Sequence, residues 1–143
     1  MNAGSQPSFV DTDVLVYAVA DEELAAQTLV DTLAAAQALH TSTQVLQELY
    51  VVLTRKVRRK FTSAEAIDYL DRIARAPVTT TDYRLVRQAA ELSDRDAFSF
   101  WDALVLVAAA RSGATRLYTE DLQHGRTVLG VEIVNPFRRA GRS

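Results

Sequence analysis

The most apolar stretch of the chain, residues 101–110, contains a single charged residue, Asp102. A segment this poor in polar side chains is expected to be buried, and an unpaired carboxylate in a protein interior is costly unless it protonates or finds a partner. Three other acids, Asp11, Glu48 and Asp121, also lie beside or within apolar segments. Like charges do not gather in an interior without a compensating cation. If these four acids converge, a divalent metal ion is the expected compensator.

The composition is typical of one globular domain, with 143 residues, 48% of them hydrophobic and 24% charged. We expect a single domain spanning 1–143, ordered over about 8–137, after a flexible lead-in without the features of a targeting segment. The absence of cysteine excludes disulfides, zinc–thiolate sites and cysteine nucleophiles. The apolar run 103–110 is too short to cross a bilayer, so we expect no membrane association and a cytoplasmic location.

Apolar periodicity and capping signals predict strands that alternate with helices. The first predicted strand ends at residues 9–10, and the others cover 38–41, 78–81, 115–119 and 131–134. The predicted helices cover 14–18, 22–36, 44–56, 63–75, 83–93 and 100–111. A Thr62–Glu65 capping box opens the fourth helix, and Gly113 ends the sixth. This order predicts an α/β domain with a largely parallel sheet.

The four acids are placed by this scaffold near one edge of the sheet. Ligands of open α/β sheets bind at the carboxyl ends of the strands, and Asp11 and Asp121 follow the first and fourth strands. Asp102 is expected at N2 or N3 of its helix, and Glu48 is expected to face the sheet with the apolar stripe. Two charges ~5 Å apart at an effective dielectric of ~20 repel by roughly 3 kcal/mol. Oxygen ligands without His or Cys favour Mg²⁺ or Mn²⁺, as in two-metal phosphodiesterases.

Each of these residues also has an ordinary structural interpretation. Asp11 or Asp13 alone is typical of a helix N-cap, Asp121 of a turn, and Asp102 of a capping pair with Ser99. Thr119 is either a plain strand residue or a hydroxyl that binds a ligand carboxylate or a phosphate. The two histidines are too few and too scattered for a zinc site, and we assign His40 to a strand and His124 to a surface turn.

Two basic groups stand out on a chain whose net charge is −2. Local basic patches can hold phosphates even on a mildly acidic domain, so the first group is a candidate RNA-binding segment. Its members are Arg55, Lys56, Arg58, Arg59 and Lys60. The second group, Arg138, Arg139 and Arg142, is interpreted as a solvated tail.

Around the four acids, the chain resembles the PIN-domain nucleases, and among them the VapC-type toxins of bacterial toxin–antitoxin pairs. Five motifs carry the resemblance in order, over about residues 8–137. They are Phe9-Val10-Asp11-Thr12-Asp13-Val14-Leu15-Val16-Tyr17-Ala18, Gln44-Val45-Leu46-Gln47-Glu48-Leu49-Tyr50, Ser99-Phe100-Trp101-Asp102-Ala103-Leu104, Leu117-Tyr118-Thr119-Glu120-Asp121-Leu122 and Asn135-Pro136-Phe137.

The resemblance implies a three-layer α/β/α sandwich around a mostly parallel, five-stranded sheet. It also implies Mg²⁺- or Mn²⁺-dependent cleavage of RNA, homodimerisation, and inhibition by a cognate VapB-like antitoxin. Asp11, Glu48, Asp102 and Asp121 match the family's four acidic positions, as catalytic residues and metal ligands, and Thr12 and Thr119 match its hydroxyl positions. Many members have Asn or Ser in place of Asp13, which leaves open whether Asp13 joins the metal site. Glu120, beside Asp121, is a similar ambiguity.

Two alternative functions remain at this point. The Asp11-x-Asp13 pair resembles the start of haloacid-dehalogenase-like phosphatases, but position 15 is Leu rather than Thr, and no lysine follows Lys60. A non-catalytic PIN-like module that sequesters a partner is the other alternative, although this chain keeps all four acids.

Overall fold

The computed structural model describes residues 6–138, and strands alternate with helices along them as predicted. The strands are β1 (Ser8–Val10), β2 (Leu39–Ser42), β3 (Val78–Thr79), β4 (Arg116–Tyr118), β5 (Thr127–Val128) and β6 (Val131–Val134). The helices are α1 (Thr12–Val19), α2 (Leu24–Ala35), α3 (Thr43–Arg55), α4 (Ser63–Ile73), α5 (Tyr83–Asp96) and α6 (Phe100–Arg111). Arg139 and Arg142 of the terminal basic group lie outside the described residues, as do residues 1–5 of the expected lead-in.

The strands form one sheet in the order β3-β2-β1-β4-β6-β5. All neighbours pair in parallel except β5, which runs antiparallel to β6. The predicted class, a three-layer α/β/α sandwich with a mostly parallel sheet, is confirmed. The sheet has six strands instead of five because the two-residue β5 was missed. Only Val128 of that strand is buried, so it lacks the apolar pattern that identifies longer strands.

Helix α6 is buried on nearly every side, as its apolar sequence predicts. Residues 103–109 are all buried, because the helix lies between α5 and strands β2, β4 and β6. Gly113 ends it at φ +84°, with its N–H donating to the Ala110 carbonyl and that of Ala114 to Ala109, a Schellman motif. Asp102 is the third residue of the helix, as expected, and its N–H donates to the Ser99 hydroxyl at 3.1 Å.

Other helix ends also follow their capping signals. The Thr62–Glu65 capping box is present at the start of α4. Helix α2 begins at Leu24 and not at Glu22, because Glu22 has a φ of +49°, which a right-handed helix excludes. Among residues 6–138, no helix combines the length and the hydrophobicity that a membrane span requires.

Candidate metal centre

Three aspartates meet at the carboxyl edge of the sheet. One carboxylate oxygen from each of Asp11, Asp13 and Asp121 lies within 4.8 Å of the other two. Asp11 directly follows β1, Asp13 lies in the first turn of α1, and Asp121 follows β4. Strands β1 and β4 are parallel neighbours, so the segments after them emerge side by side. The topology of the sheet therefore brings these residues together across more than 100 positions of sequence.

Asp11 is the buried member of the group, with 8% of its surface exposed. Its Oδ1 accepts a hydrogen bond from the backbone N–H of Thr12 at 2.7 Å, and its Oδ2 accepts one from the Thr119 hydroxyl at 3.0 Å. Its own N–H donates to the Tyr118 carbonyl of the neighbouring strand at 3.0 Å. Backbone and side chain are both tied to the sheet, so the carboxylate is held in one orientation.

Asp13 is placed in the cluster and also contributes to the helix start. Its Oδ1 accepts from the Val14 N–H at 2.7 Å, and its Oδ2 accepts from the Glu120 N–H at 2.9 Å. The second contact joins the start of α1 to the segment after β4. The sequence left open whether Asp13 lies at the metal site, and the structure places its carboxylate beside those of Asp11 and Asp121.

The hydroxyl of Thr119 connects all three aspartates. The residue is fully buried, and its hydroxyl lies 3.0 Å from Asp11 Oδ2 and 3.4 Å from Asp13 Oδ2. The same oxygen accepts the N–H of Asp121 at 3.2 Å. Thr119 is therefore more than a plain strand residue, because it fixes the relative positions of the three acids.

Burial and mutual repulsion raise the pKa of these carboxyls. Desolvation and the charge of Asp13 raise the pKa of Asp11 to about 7, although its hydrogen bonds from Thr12 and Thr119 oppose the shift. Desolvation raises the pKa of Asp13 to about 6. The pKa of Asp121 is raised by desolvation and by the charges of Glu120, Asp102 and Glu48. Within residues 6–138, no ion pair shorter than 4.0 Å neutralises any of the three aspartates.

Glu48 and Asp102 flank this group of three. The expectation that Glu48 faces the sheet is wrong: the residue is exposed, because the buried face of α3 is formed by Gln44, Val45, Leu49 and Leu53. Its carboxylate nevertheless reaches the site, where Oε2 accepts from the Thr12 hydroxyl at 3.3 Å. Asp102 is partly buried, and its charge contributes to the raised pKa of Asp121. All four predicted acids thus lie at one edge, with Asp13 inside the tightest group.

Sequence reasoning missed the role of Gln44 in this arrangement. Its side-chain Nε2 donates to Glu48 Oε1 at 3.2 Å and to the Trp101 carbonyl at 3.4 Å, although the residue is 7% exposed. The available signal was its i, i+4 spacing to Glu48 on a predicted helix, because residues at that spacing are neighbours on a helix surface.

Glu120 turns away from the three aspartates. Its Oε1 accepts a hydrogen bond from the Tyr17 hydroxyl at 2.6 Å, and this contact is the main reason that the pKa of Tyr17 rises to about 12. Side chains alternate in direction at this point, as expected, so that Asp121 points toward Asp11 and Asp13 while Glu120 points toward Tyr17. Tyr17 in turn packs edge-on against Phe137, with ring centroids 5.0 Å apart.

The basic segment is not part of the acidic site. Arg55 ends α3, and Lys56, Arg58, Arg59 and Lys60 follow it as exposed residues before α4. Arg55 lies seven positions after Glu48, which corresponds to about 10 Å along the helix axis. His40 lies in β2 and His124 in a loop, as predicted, where His124 Nδ1 accepts the Asn135 N–H at 2.9 Å.

The donor set fits a hard divalent cation. Asp11, Asp13 and Asp121 offer carboxylate oxygens at close range, and Thr119 adds a hydroxyl that holds two of them. Oxygen donors without imidazole or thiolate suit Mg²⁺ or Mn²⁺ better than zinc. The raised pKa values agree with this, since they arise first from burial and then from repulsion among the carboxylates, and a bound cation would favour the charged forms.

Comparisons with known proteins agree on the architecture. A family model described as the PIN domain matches residues 8–128. VapC20 of Mycobacterium tuberculosis, a toxin that cleaves the sarcin-ricin loop, superposes with a TM-score of 0.61 at 21% identity, covering 77% of this chain and 86% of that one. A toxin–antitoxin complex from Klebsiella pneumoniae gives 0.71 at 14%, with coverage of 92% and 99%.

A third structure, VapBC2 of Rickettsia felis bound to a promoter DNA fragment, gives a TM-score of 0.65 at 17% identity and covers 88% of this chain and 96% of that one. At sequence identities this low, the three superpositions establish that the fold is shared. No curated protein sequence matches the chain.

Proposed function

The chain belongs to the PIN domain family, and we propose that it is an Mg²⁺- or Mn²⁺-dependent endoribonuclease, the toxin of a VapBC-type toxin–antitoxin pair. The observation that carries this proposal is the group of Asp11, Asp13 and Asp121, which each place a carboxylate oxygen within 4.8 Å of the other two, with no ion-paired cation among residues 6–138. Repulsion among these carboxylates lowers the stability of the fold, and a cation that binds there would offset it.

The acids have distinct parts in the proposed reaction. Asp11, Asp13 and Asp121 would hold the ion, and Asp102 and Glu48 would complete its surroundings directly or through water. The bound cation supplies a water of lowered pKa and a positive contact for a phosphate oxygen. Glu48 accepts hydrogen bonds from Thr12 and Gln44, and it would orient the attacking water and take its proton. As the water oxygen bonds to phosphorus, the P–O bond to the leaving nucleotide breaks and the leaving oxygen takes a proton from solvent. The Thr119 hydroxyl holds the carboxylates of Asp11 and Asp13 in position during the reaction.

RNA is the proposed substrate and reaches the site only when the cation is present, because the uncompensated acids repel phosphate. The exposed basic segment after α3 then contacts phosphates that flank the cleavage position. Its distance from the acids along α3 fits a role in binding rather than in the chemical step.

The proposed partners are a VapB-like antitoxin and a second copy of the chain, in the cytoplasm where the RNA substrate is found. Two of the similar structures contain toxin–antitoxin complexes, which supports an antitoxin partner by analogy. Exposed apolar side chains on neighbouring helices, Val51 on α3 and Ile67 on α4, are compatible with protein contacts. Copurification with the product of a neighbouring small gene, and the mass of the purified protein in solution, test these two partners.

The catalytic proposal is tested by cleavage of a labelled oligoribonucleotide with Mg²⁺, with Mn²⁺ and with excess EDTA. We expect cleavage with either ion, none with EDTA, and a loss on the order of 100-fold or more in Asp11→Asn. Asp71→Asn, an exposed acid on α4, is the matched control and should cleave like the wild type.

Full activity of Asp11→Asn refutes the assignment of the site. Absence of both cleavage and millimolar Mn²⁺ binding in the wild type favours the non-catalytic binding module instead. No observation favours the phosphatase alternative.

A further inference from the structure

Gln44 connects the candidate metal centre to the helix core. We infer that it is a positioning residue, which orients the Glu48 carboxylate for metal binding and for the reaction; the inference rests on the proposed function. Gln44 lies one helical turn before Glu48 on α3 and is 7% exposed, so it is out of reach of a substrate.

The orientation of the Gln44 amide is fixed by its two acceptors. Nε2 carries two hydrogens, one directed at Glu48 Oε1 at 3.2 Å and the other at the Trp101 carbonyl at 3.4 Å. A flipped amide would place its oxygen against both of these oxygens, and the repulsion excludes that state. The Trp101 carbonyl belongs to the peptide unit that leads into Asp102 on the buried helix α6. The amide is thus anchored on the core.

Glu48 is held between two donors from different elements. Gln44 donates to Oε1, and the Thr12 hydroxyl, which the Val45 carbonyl also approaches at 3.4 Å, donates to Oε2 at 3.3 Å. Without them, an exposed glutamate at this position would move among many side-chain conformers. Thr12 adjoins Asp11, and Gln44 contacts the peptide before Asp102. The two hydrogen bonds therefore fix the position of the Glu48 carboxylate relative to Asp11 and Asp102.

The oxygen of the same Gln44 amide indicates that the residue is not kept for stability. Its Oε1 is buried and has no hydrogen-bond partner among residues 6–138. A buried acceptor without a partner costs free energy that an apolar side chain of similar shape avoids. Methionine at this position should therefore leave the fold equally stable or more stable, while it releases Glu48. A residue with a purely structural role would show the opposite sign.

The test compares Gln44→Met with Gln47→Met, an exposed neighbour on α3. We expect Gln44→Met to keep or raise the urea midpoint of the metal-free protein, and to lower Mn²⁺ affinity or single-turnover cleavage about 10- to 100-fold. Gln47→Met should change neither. Gln44→Leu serves as the second variant in case methionine packs poorly.

A double variant separates positioning from other effects. If Gln44 acts through Glu48, then Gln44→Met combined with Glu48→Gln loses little more than Glu48→Gln alone. Fully additive losses, or a less stable Gln44→Met protein with unchanged Mn²⁺ affinity, would overturn the inference. Failure of the wild type to cleave RNA refutes the proposed function instead, and the Mn²⁺ titrations still decide the role of Gln44.

Discussion

Replacement of Asp11 by Asn should stabilise the metal-free protein at neutral and alkaline pH, although it removes a residue of the candidate site. Asparagine keeps the acceptor for the Thr12 N–H, and its amide can donate to the Thr119 hydroxyl, which then donates to Asp13. The change therefore preserves the local hydrogen bonds and removes the buried charge. What remains is the effect of ionisation on stability.

The sign and size follow from the pKa of Asp11, which rises from 3.8 to about 7 on folding. Between these values the folded state binds more protons than the unfolded chain, so the free energy of unfolding falls as pH rises. The slope is at most about 1.4 kcal/mol per pH unit and falls to half at the folded-state pKa, so wild type loses roughly 3 kcal/mol between pH 5 and pH 8 through this group. Above pH 7 the loss levels off, and it is nearly complete at pH 8. For a domain of this size, 3 kcal/mol corresponds to about 10 °C in Tm.

The assay is urea denaturation of EDTA-treated protein at pH 5, 6, 7 and 8. The stability difference between Asp11→Asn and wild type should grow up to pH 7 and then level off, whereas Asp71→Asn should follow wild type at every pH. Millimolar Mn²⁺ should stabilise wild type at pH 8 and have much less effect on Asp11→Asn. A pH-independent difference between Asp11→Asn and wild type would refute the reasoning.

Three further predictions concern other parts of the molecule. Gly113→Ala should cost about 1 kcal/mol in urea denaturation, because Gly113 has a φ of +84° that alanine disfavours; a neutral result would contradict the Schellman closure of α6. Tyr17→Phe should cost about 1 kcal/mol by the same measurement, since it removes the hydrogen bond to Glu120. The double variant Arg58→Gln, Arg59→Gln should make the slope of log K against log salt for single-stranded RNA shallower by about 1.4, with little change in kcat. An unchanged slope would exclude these arginines from RNA binding.

The fold was largely predictable because its signals are local. The apolar residues 101–110, the Thr62–Glu65 capping box and Gly113 each determine nearby backbone through burial, capping or φ. Strand β5 was missed because two residues with one buried side chain leave no periodic pattern. The positions of Asp11 and Asp121 were predictable to the level of the sheet edge, because parallel strands place their carboxyl ends together.

The details of the site depend on contacts that a sequence does not specify. Whether Asp13 joins the cluster is decided by its hydrogen bond to the Glu120 N–H, a contact across 107 positions. The exposed position of Glu48 depends on the exact rotation of α3, which a stripe of apolar residues defines only within one or two neighbours. Gln44 was overlooked because its i, i+4 spacing to Glu48 indicates that the two residues are neighbours but not that the amide is buried against the Trp101 carbonyl.

The burial of residues 103–109 of α6 links activity to side chains that never meet a substrate. Ala103, Ala108 and Ala109 are fully or almost fully buried between the sheet and α5, and their small side chains set how closely the helix approaches both. A larger residue at any of them would push the helix outward and carry Asp102 away from the aspartates. In a saturation-mutagenesis screen for activity, these alanines should therefore tolerate as few replacements as the acids do, in a protein that still folds.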